Sequence, residues 1–186
     1  MTVLGERRVI SGPKILCVGG GYFDFENPEA SEFTIQDVAH ALSQICRFTG
    51  QAHRFYSVAE HSVWCSLVVP SEFALAALLH DAAEAFIGDV SSPLKGLLPD
   101  YKRIEARVEA AVLGRFGLSR PLPFPVKLAD LYMLKVEQAQ VMCNDDDWPA
   151  VRSIAGPPLT VEFWSPDEAR ARFLSRFEAL MTGSDT

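Results

Sequence analysis

Residues 71–88 read SEFALAALLHDAAEAFIG, and the way this stretch folds decides the architecture of the chain. The alanine- and leucine-rich run from Phe73 to Ile87 has the makeup of a buried helix, which Ser71 can cap and Gly88 can close. His80 and Asp81 end its most apolar part, Ala74 to Leu79. An ionised carboxylate beside such a run is expensive unless it is paired or bound to a metal. Glu84 follows four residues after His80 and three after Asp81, so helical geometry puts it on the same face. One buried helix therefore ends in three groups suited to metal binding and proton transfer.

Helical signals also dominate on either side. Thr34 with Asp37 resembles a capping box and opens a helix running through Cys46. Ser57 with Glu60 has the stricter box pattern and starts a helix to Val69, ahead of Pro70. Pro93 suits the first turn of a short helix through Leu98. Asp100 can cap the next, with Ile104, Val108, Ala111, Val112 and Phe116 on one face. The connector PLPFP at 121–125 precedes a helix from Val126 to Met142, and Ser165-Pro166 opens the last one. Before residue 34 the short apolar patches Val9-Ile10, Lys14 to Val18 and Tyr22 to Phe25, separated by Gly and Pro, suggest a small hairpin. Gly19-Gly20-Gly21 lacks a following helix and reads as a turn rather than a phosphate cradle. The expectation is an all-α bundle with a short N-terminal β-hairpin or extended segment. Its organisation is one domain over 1–186: an extended segment at 1–33, a helical core at 34–142, and a loop with the C-terminal helix at 143–186.

Composition excludes several classes. At ~100–200 residues per domain, 186 residues make one domain with a core of its own. No apolar run approaches the ~18 residues of a membrane span, and the N-terminus lacks a signal-peptide apolar core, so we expect a cytoplasmic protein. The net charge of −7, without any basic stripe, argues against a polynucleotide partner. An anionic ligand would need a local positive feature, and a bound metal is the obvious source. Cys17, Cys46, Cys65 and Cys143 contain no CxxC pair and read as reduced thiols, mostly core filler.

His80-Asp81 alone has a bland alternative, a core histidine held by its neighbouring carboxylate. Two further segments change the balance. His61 lies one turn into its helix after Glu60, and Asp130 sits in the core-rich KLADLYMLKVE. Two imidazoles and two carboxylates suit Mn, Fe, Co or Zn and leave positions for water and substrate. AEHS at 59–62, LLHDAAEAFIGD at 78–89, SSPLK at 91–95 and LAD at 128–130 together resemble, in order, the HD-domain metal-dependent phosphohydrolases. The likeness spans roughly residues 20–140 and is nearest the small nucleotide-hydrolysing branch, with its bacterial 5′-deoxynucleotidases and phage dATP triphosphohydrolases.

The resemblance implies an HD-type helical bundle in which His61, His80, Asp81 and Asp130 are metal ligands and Glu84 is the catalytic carboxylate. It implies substrate contacts from Arg47 in CRFTG, from Phe48 beside it, from Asp89 towards a sugar 3′-hydroxyl and from Lys95 towards phosphate. His53 and Arg54 lie in an interhelical loop and could reach phosphate or only solvent. The cofactor is a divalent ion (Mn, Co, Zn, Fe or Mg), with a second Mg2+ able to accompany the substrate phosphates. The 19 residues from His61 to His80 are fewer than in the best-known deoxynucleotidases, so the pocket wall is trimmed there.

The leading expectation is a dNTP triphosphohydrolase, with dATP as a candidate, that releases deoxynucleoside and tripolyphosphate. A 5′-deoxynucleotidase acting on dNMPs is the alternative. A nucleotide sensor without turnover and a purely structural helical module complete the field, and hydrolysis of (p)ppGpp is less suited to this length. The expected partner is a small nucleotide, and the chain is expected to form a homo-oligomer. Separate plain readings exist for the outer residues: Arg47 could meet the last carbonyls of its helix, Lys95 could be a solvated charge, and Phe48 could be core. His40 is read as structural, and Asp145-Asp146-Asp147 as a solvated turn without EF-hand spacing.

Overall fold

The hairpin is real and small. In the computed structural model, which describes residues 9–183, β1 (Lys14–Leu16) pairs antiparallel with β2 (Tyr22–Asp24), Ile15 opposite Phe23. Residues 1–8 of the expected extended segment lie outside the described residues. The glycine triplet makes the turn. Gly20 has φ +88°, a Cβ on Gly21 would strike the Glu32 carbonyl oxygen, and the Gly19 amide donates to Asp37 Oδ1 at 2.7 Å. Phe23 anchors the hairpin by stacking on Phe86 with ring centroids 4.0 Å apart.

Eight α-helices follow among the described residues. α1 spans Ile35–Gln44 and α2 Val58–Val68. The 71–88 stretch supplies α3 (Ala74–Leu78) and α4 (Glu84–Ile87), after which come α5 (Ser92–Lys95), α6 (Pro99–Arg115), α7 (Phe124–Gln140) and α8 (Pro166–Thr182). The Thr34–Asp37 capping box is complete, and the Ser165 side chain accepts from the Glu168 amide as expected. α2 is the central helix. It is buried around most of its circumference, and its sides contribute to two hydrophobic clusters. One cluster joins the hairpin, α1, α4, α6 and α8 through Phe23, Leu42, Phe86, Val112 and Phe173. The other joins α3 and α7 to residues 141–161 through Ala77, Met133, Val141 and Val161.

Several boundaries differ from the sequence expectation. Helix α1 stops at Gln44, and Cys46 leaves it to form a β-bridge with Ser57. Ser57 caps α2 by accepting from the Glu60 amide, but the Glu60 carboxylate is drawn away to the distant amides of Glu162, Phe163 and Trp164. Asp100 sits within the first turn of α6 and pairs with Arg103, while Leu98 takes the cap position without a side-chain bond. Ile104 on that helix is exposed. α5 ends at Lys95, and α7 starts two residues before Val126.

The largest correction is to the deciding stretch. It is not one helix: residues 71–73 form a 3-10 turn without a Ser71 side-chain cap, α3 ends at Leu78, and turns occupy 79–83 before α4. Bonds between residues three apart, Ala82 to Leu79 and Glu84 to Asp81, replace the regular ladder. His80 Nδ1–H donates to the Ala77 carbonyl at 2.8 Å. The bond serves an acceptor at the helix break and turns Nε2 of His80 inward.

Candidate metal centre

Three side chains, from the α3–α4 break and α7, gather around a fourth, His61 of α2. His61 rises from the first turn of α2, His80 and Asp81 from the α3–α4 break, and Asp130 from the second turn of α7. His61 Nε2 lies 3.3 Å from His80 Nε2, 3.6 Å from Asp81 Oδ2 and 3.5 Å from Asp130 Oδ1. His80 Nε2 is 3.2 Å from Asp81 Oδ2. Ligand bonds of ~2.0–2.2 Å at tetrahedral or octahedral angles put neighbouring ligand atoms about 3.0–3.5 Å apart. Direct charge-assisted hydrogen bonds would be nearer ~2.8 Å. The distances among His61, His80 and Asp81 fall in or close to the first range, and Asp130 reaches it at His61.

Both imidazoles are held from behind. His61 Nδ1 donates to Glu137 Oε1 at 2.6 Å, and His80 Nδ1 to Ala77 O. Each Nε2 is thereby left to present a lone pair to the same point, the orientation that metal-binding histidines require. Glu137 is fully buried, and its second oxygen meets Arg47 at 3.1 Å. Arg47 also reaches Asp81 at 3.5 Å.

His61, Cys65 and His80 form a buried group whose donor atoms lie within 4.8 Å of one another and which could hold a metal ion. Cys65 follows His61 by one turn, and its Sγ lies 3.4 Å from Nε2 and 4.0 Å from Nδ1. A sulfur near both nitrogens rests against the ring rather than along the Nε2 lone pair. Carboxylate oxygens are also near that nitrogen: Asp81 Oδ2 at 3.6 Å and Asp130 Oδ1 at 3.5 Å. Cys65, expected as filler, is thus core and site neighbour together.

The electrostatics follow from crowding. Burial pulls the His80 imidazole down, but Asp81 overrides it and carries the pKa up to about 9. For His61, burial and Arg47 act downward, while Cys65, Glu137 and Asp130 win and leave it well raised. Burial works to raise Asp81 and Asp130, yet the imidazoles hold both below the usual carboxylate range. A divalent ion there would supply positive charge to the same carboxylates.

Glu84 is buried at the N-terminus of α4. Burial, then Asp81 and Asp89, push its carboxyl well up; Arg47 and Lys95 oppose them. Its Oε1 is 3.5 Å from Lys95, and its Oε2 is buried without a hydrogen-bond partner. Lys95 is not a solvated charge: it lies 2.6 Å from Glu105 as well. Asp89 follows Gly88, whose φ of +76° closes α4, and is half-buried.

Arg47 and Phe48 open a strained turn. Phe48 and Thr49, neither of them glycine, adopt φ of +57° and +55° and are followed by Gly50 at +78°. Consecutive left-handed residues cost of order 1–3 kcal/mol each and persist where surrounding contacts impose them. Arg47 does not serve its helix carbonyls; it is buried between Glu137 and Asp81, with its guanidinium 5.4 Å from the Phe48 ring. His53 is exposed, and Arg54 stacks on Phe163 at 4.4 Å, so neither belongs to this cluster. Asp147 pairs with Arg152, and Asp146 is bound within its own turn, as a solvated turn requires.

Sequence reasoning missed Glu137 and Glu60. Glu137 follows Asp130 by two turns on the same face of α7, a signal present in the quoted motif. Glu60 ties α2 to Glu162, Phe163 and Trp164, partners about a hundred residues away that no local pattern announces.

No family model matches the chain. It is 42% identical over 166 residues to the uncharacterized protein YfdR of Escherichia coli, an alignment covering 87% of this chain and 92% of that one. It is also 32% identical over 184 residues to the uncharacterized protein RCAP_rcc00048 of Rhodobacter capsulatus, covering 88% and 93%. Identity of this extent over nearly the full length of both relatives means that the chain belongs to the same family as YfdR.

Proposed function

We propose that the protein is a divalent-metal-dependent phosphohydrolase of small nucleotides, of the HD-domain type. The observation that carries this reading is the gathering around His61 Nε2 of His80 Nε2 at 3.3 Å, Asp81 Oδ2 at 3.6 Å and Asp130 Oδ1 at 3.5 Å, with His80 Nε2 also 3.2 Å from Asp81 Oδ2. The donor set favours Mn, Fe, Co or Zn over Ca. A cation held there lowers the pKa of a bound water towards neutrality and polarises a phosphoryl oxygen.

The chain's own groups supply the rest. Glu84 Oε2, buried and without a partner, is the proton-handling atom one turn from Asp81. In the hydrolysis a water oxygen attacks phosphorus and releases a proton to solvent, the P–O5′ bond breaks, and the departing 5′-oxygen takes a proton. Glu84 in its protonated form provides that proton. Lys95, fixed between Glu84 and Glu105, holds the carboxyl in place. Arg47 places positive charge beside the reacting phosphate, and the strained turn sets Phe48 next to it as a platform for the base. Asp89 accepts from the sugar hydroxyl.

The cations bear on the number of phosphates. Arg47 is matched by Glu137 and Asp81, Lys95 by Glu84 and Glu105, and Arg54 is turned to Phe163. That leaves less positive surface for a triphosphate tail than the sequence suggested, and it favours the deoxynucleoside monophosphate reaction over dNTP hydrolysis. The test is a panel of all dNMPs and dNTPs with Mn2+, Co2+ and Mg2+, with phosphate and tripolyphosphate separated. Phosphate release from dNMPs supports the monophosphate reading, tripolyphosphate supports the triphosphate one, and no turnover with any metal contradicts both.

A further inference from the structure

Glu137 belongs to no expected ligand set, yet its carboxylate is fully buried against one of the expected ligands, His61. It is fully buried in the last third of α7, and its two oxygens divide their work: Oε1 accepts from His61 Nδ1 at 2.6 Å, Oε2 from Arg47 at 3.1 Å. Arg47 then reaches Asp81 at 3.5 Å. A continuous chain His61–Glu137–Arg47–Asp81 links two donors of the candidate metal centre from behind, across α2, α7 and the α3–α4 break. A buried ionised carboxylate survives only if paired and hydrogen-bonded, and both conditions are met here.

We infer that Glu137 is a positioning residue for the cation: it fixes His61 as the Nδ1–H form with Nε2 free, and through Arg47 it sets the position of Asp81. The inference rests on the metal-centre reading given above. An acceptor behind a ligating imidazole restricts the ring and raises its basicity, and losing such a partner typically weakens metal affinity ~10–100-fold. A carboxylate present only to fill the core would leave affinity untouched once the fold was intact.

The experiment titrates Co2+ and Zn2+ into the purified, metal-free full chain and its variants, with no nucleotide present. Glu137→Gln keeps the shape and an oxygen for His61 but turns an amide towards Arg47; Glu137→Asp keeps the charge but withdraws from the ring. Both are checked for a cooperative melt, so that one folded variant suffices. The expected result is Co2+ and Zn2+ affinity lower by ~10–100-fold, with a shifted visible spectrum of the Co2+ form. A folded variant with wild-type affinity and an unchanged Co2+ spectrum overturns the inference. A wild-type chain that binds neither ion overturns the metal centre itself, a separate outcome.

Discussion

Asp81 is the residue whose loss should be most selective, because it faces both imidazoles and Arg47 at once. Asp81→Asn keeps the volume and removes the charge. It should abolish cation retention, as read by metal analysis after gel filtration, while the circular dichroism of the helices is unchanged. Retained stoichiometric metal would mean that the remaining donors suffice. Glu84 should separate from it. Glu84→Gln should bind the cation as the parent does and lose ~10²–10⁴-fold in turnover, the usual share of a general acid. Loss of metal in that variant would instead make Glu84 a ligand. Asp81, Asp130 and Glu84 stand out in the sequence because a charged residue in an apolar helical run demands a partner. Glu137 followed the same rule and escaped because its neighbours in KLADLYMLKVE drew attention to Asp130.

At the scale of elements, two helix starts with paired local signals formed as read, while the Ser57–Glu60 box kept only its Ser57 half. The Thr34–Asp37 box and the Ser165-Pro166 start depend on atoms three residues apart, so sequence contains all of their physics. The 71–88 stretch does not. Its alanines and leucines carry no breaker between Ala74 and Ile87, yet turns occupy 79–83, where His80 and Asp81 face His61 of α2. Helix propensity is a weak prior against such tertiary demands. The link between hairpin and α1 gives a pH-dependent test. Burial acts to raise the Asp37 carboxyl, but the Gly19 amide and the Thr34 hydroxyl and amide hold it below the usual range. A depressed folded value means that the stabilisation is present above the unfolded pKa of ~3.9 and is lost as pH falls below it. Asp37→Ala should therefore cost about 1–3 kcal/mol in urea unfolding at neutral pH. That difference should shrink below pH ~4. A pH-independent difference would assign the loss to packing alone.

For the whole molecule, α2 is the piece on which the other parts depend. It carries His61, divides the two apolar clusters, and through Glu60 holds the segment leading into α8. No described helix is long and apolar enough to cross a membrane. A cation bridging α2, the α3–α4 break and α7 should stabilise all three together. At a hundredfold excess over its dissociation constant the gain is ~2.7 kcal/mol, visible as a rise in melting temperature that chelator reverses. Asp81→Asn should show no such rise. The bundle could be read from apolar periodicity, but the Glu60 clamp could not, since its donors are remote in sequence.

The most direct measurement is anomalous diffraction from crystals of the full chain grown or soaked with Mn2+ or Zn2+. The account predicts one strong peak at bonding distance, ~2.0–2.2 Å, from His61 Nε2, His80 Nε2, Asp81 and Asp130. A peak elsewhere, or none at these four side chains in crystals that hold the ion, would contradict it.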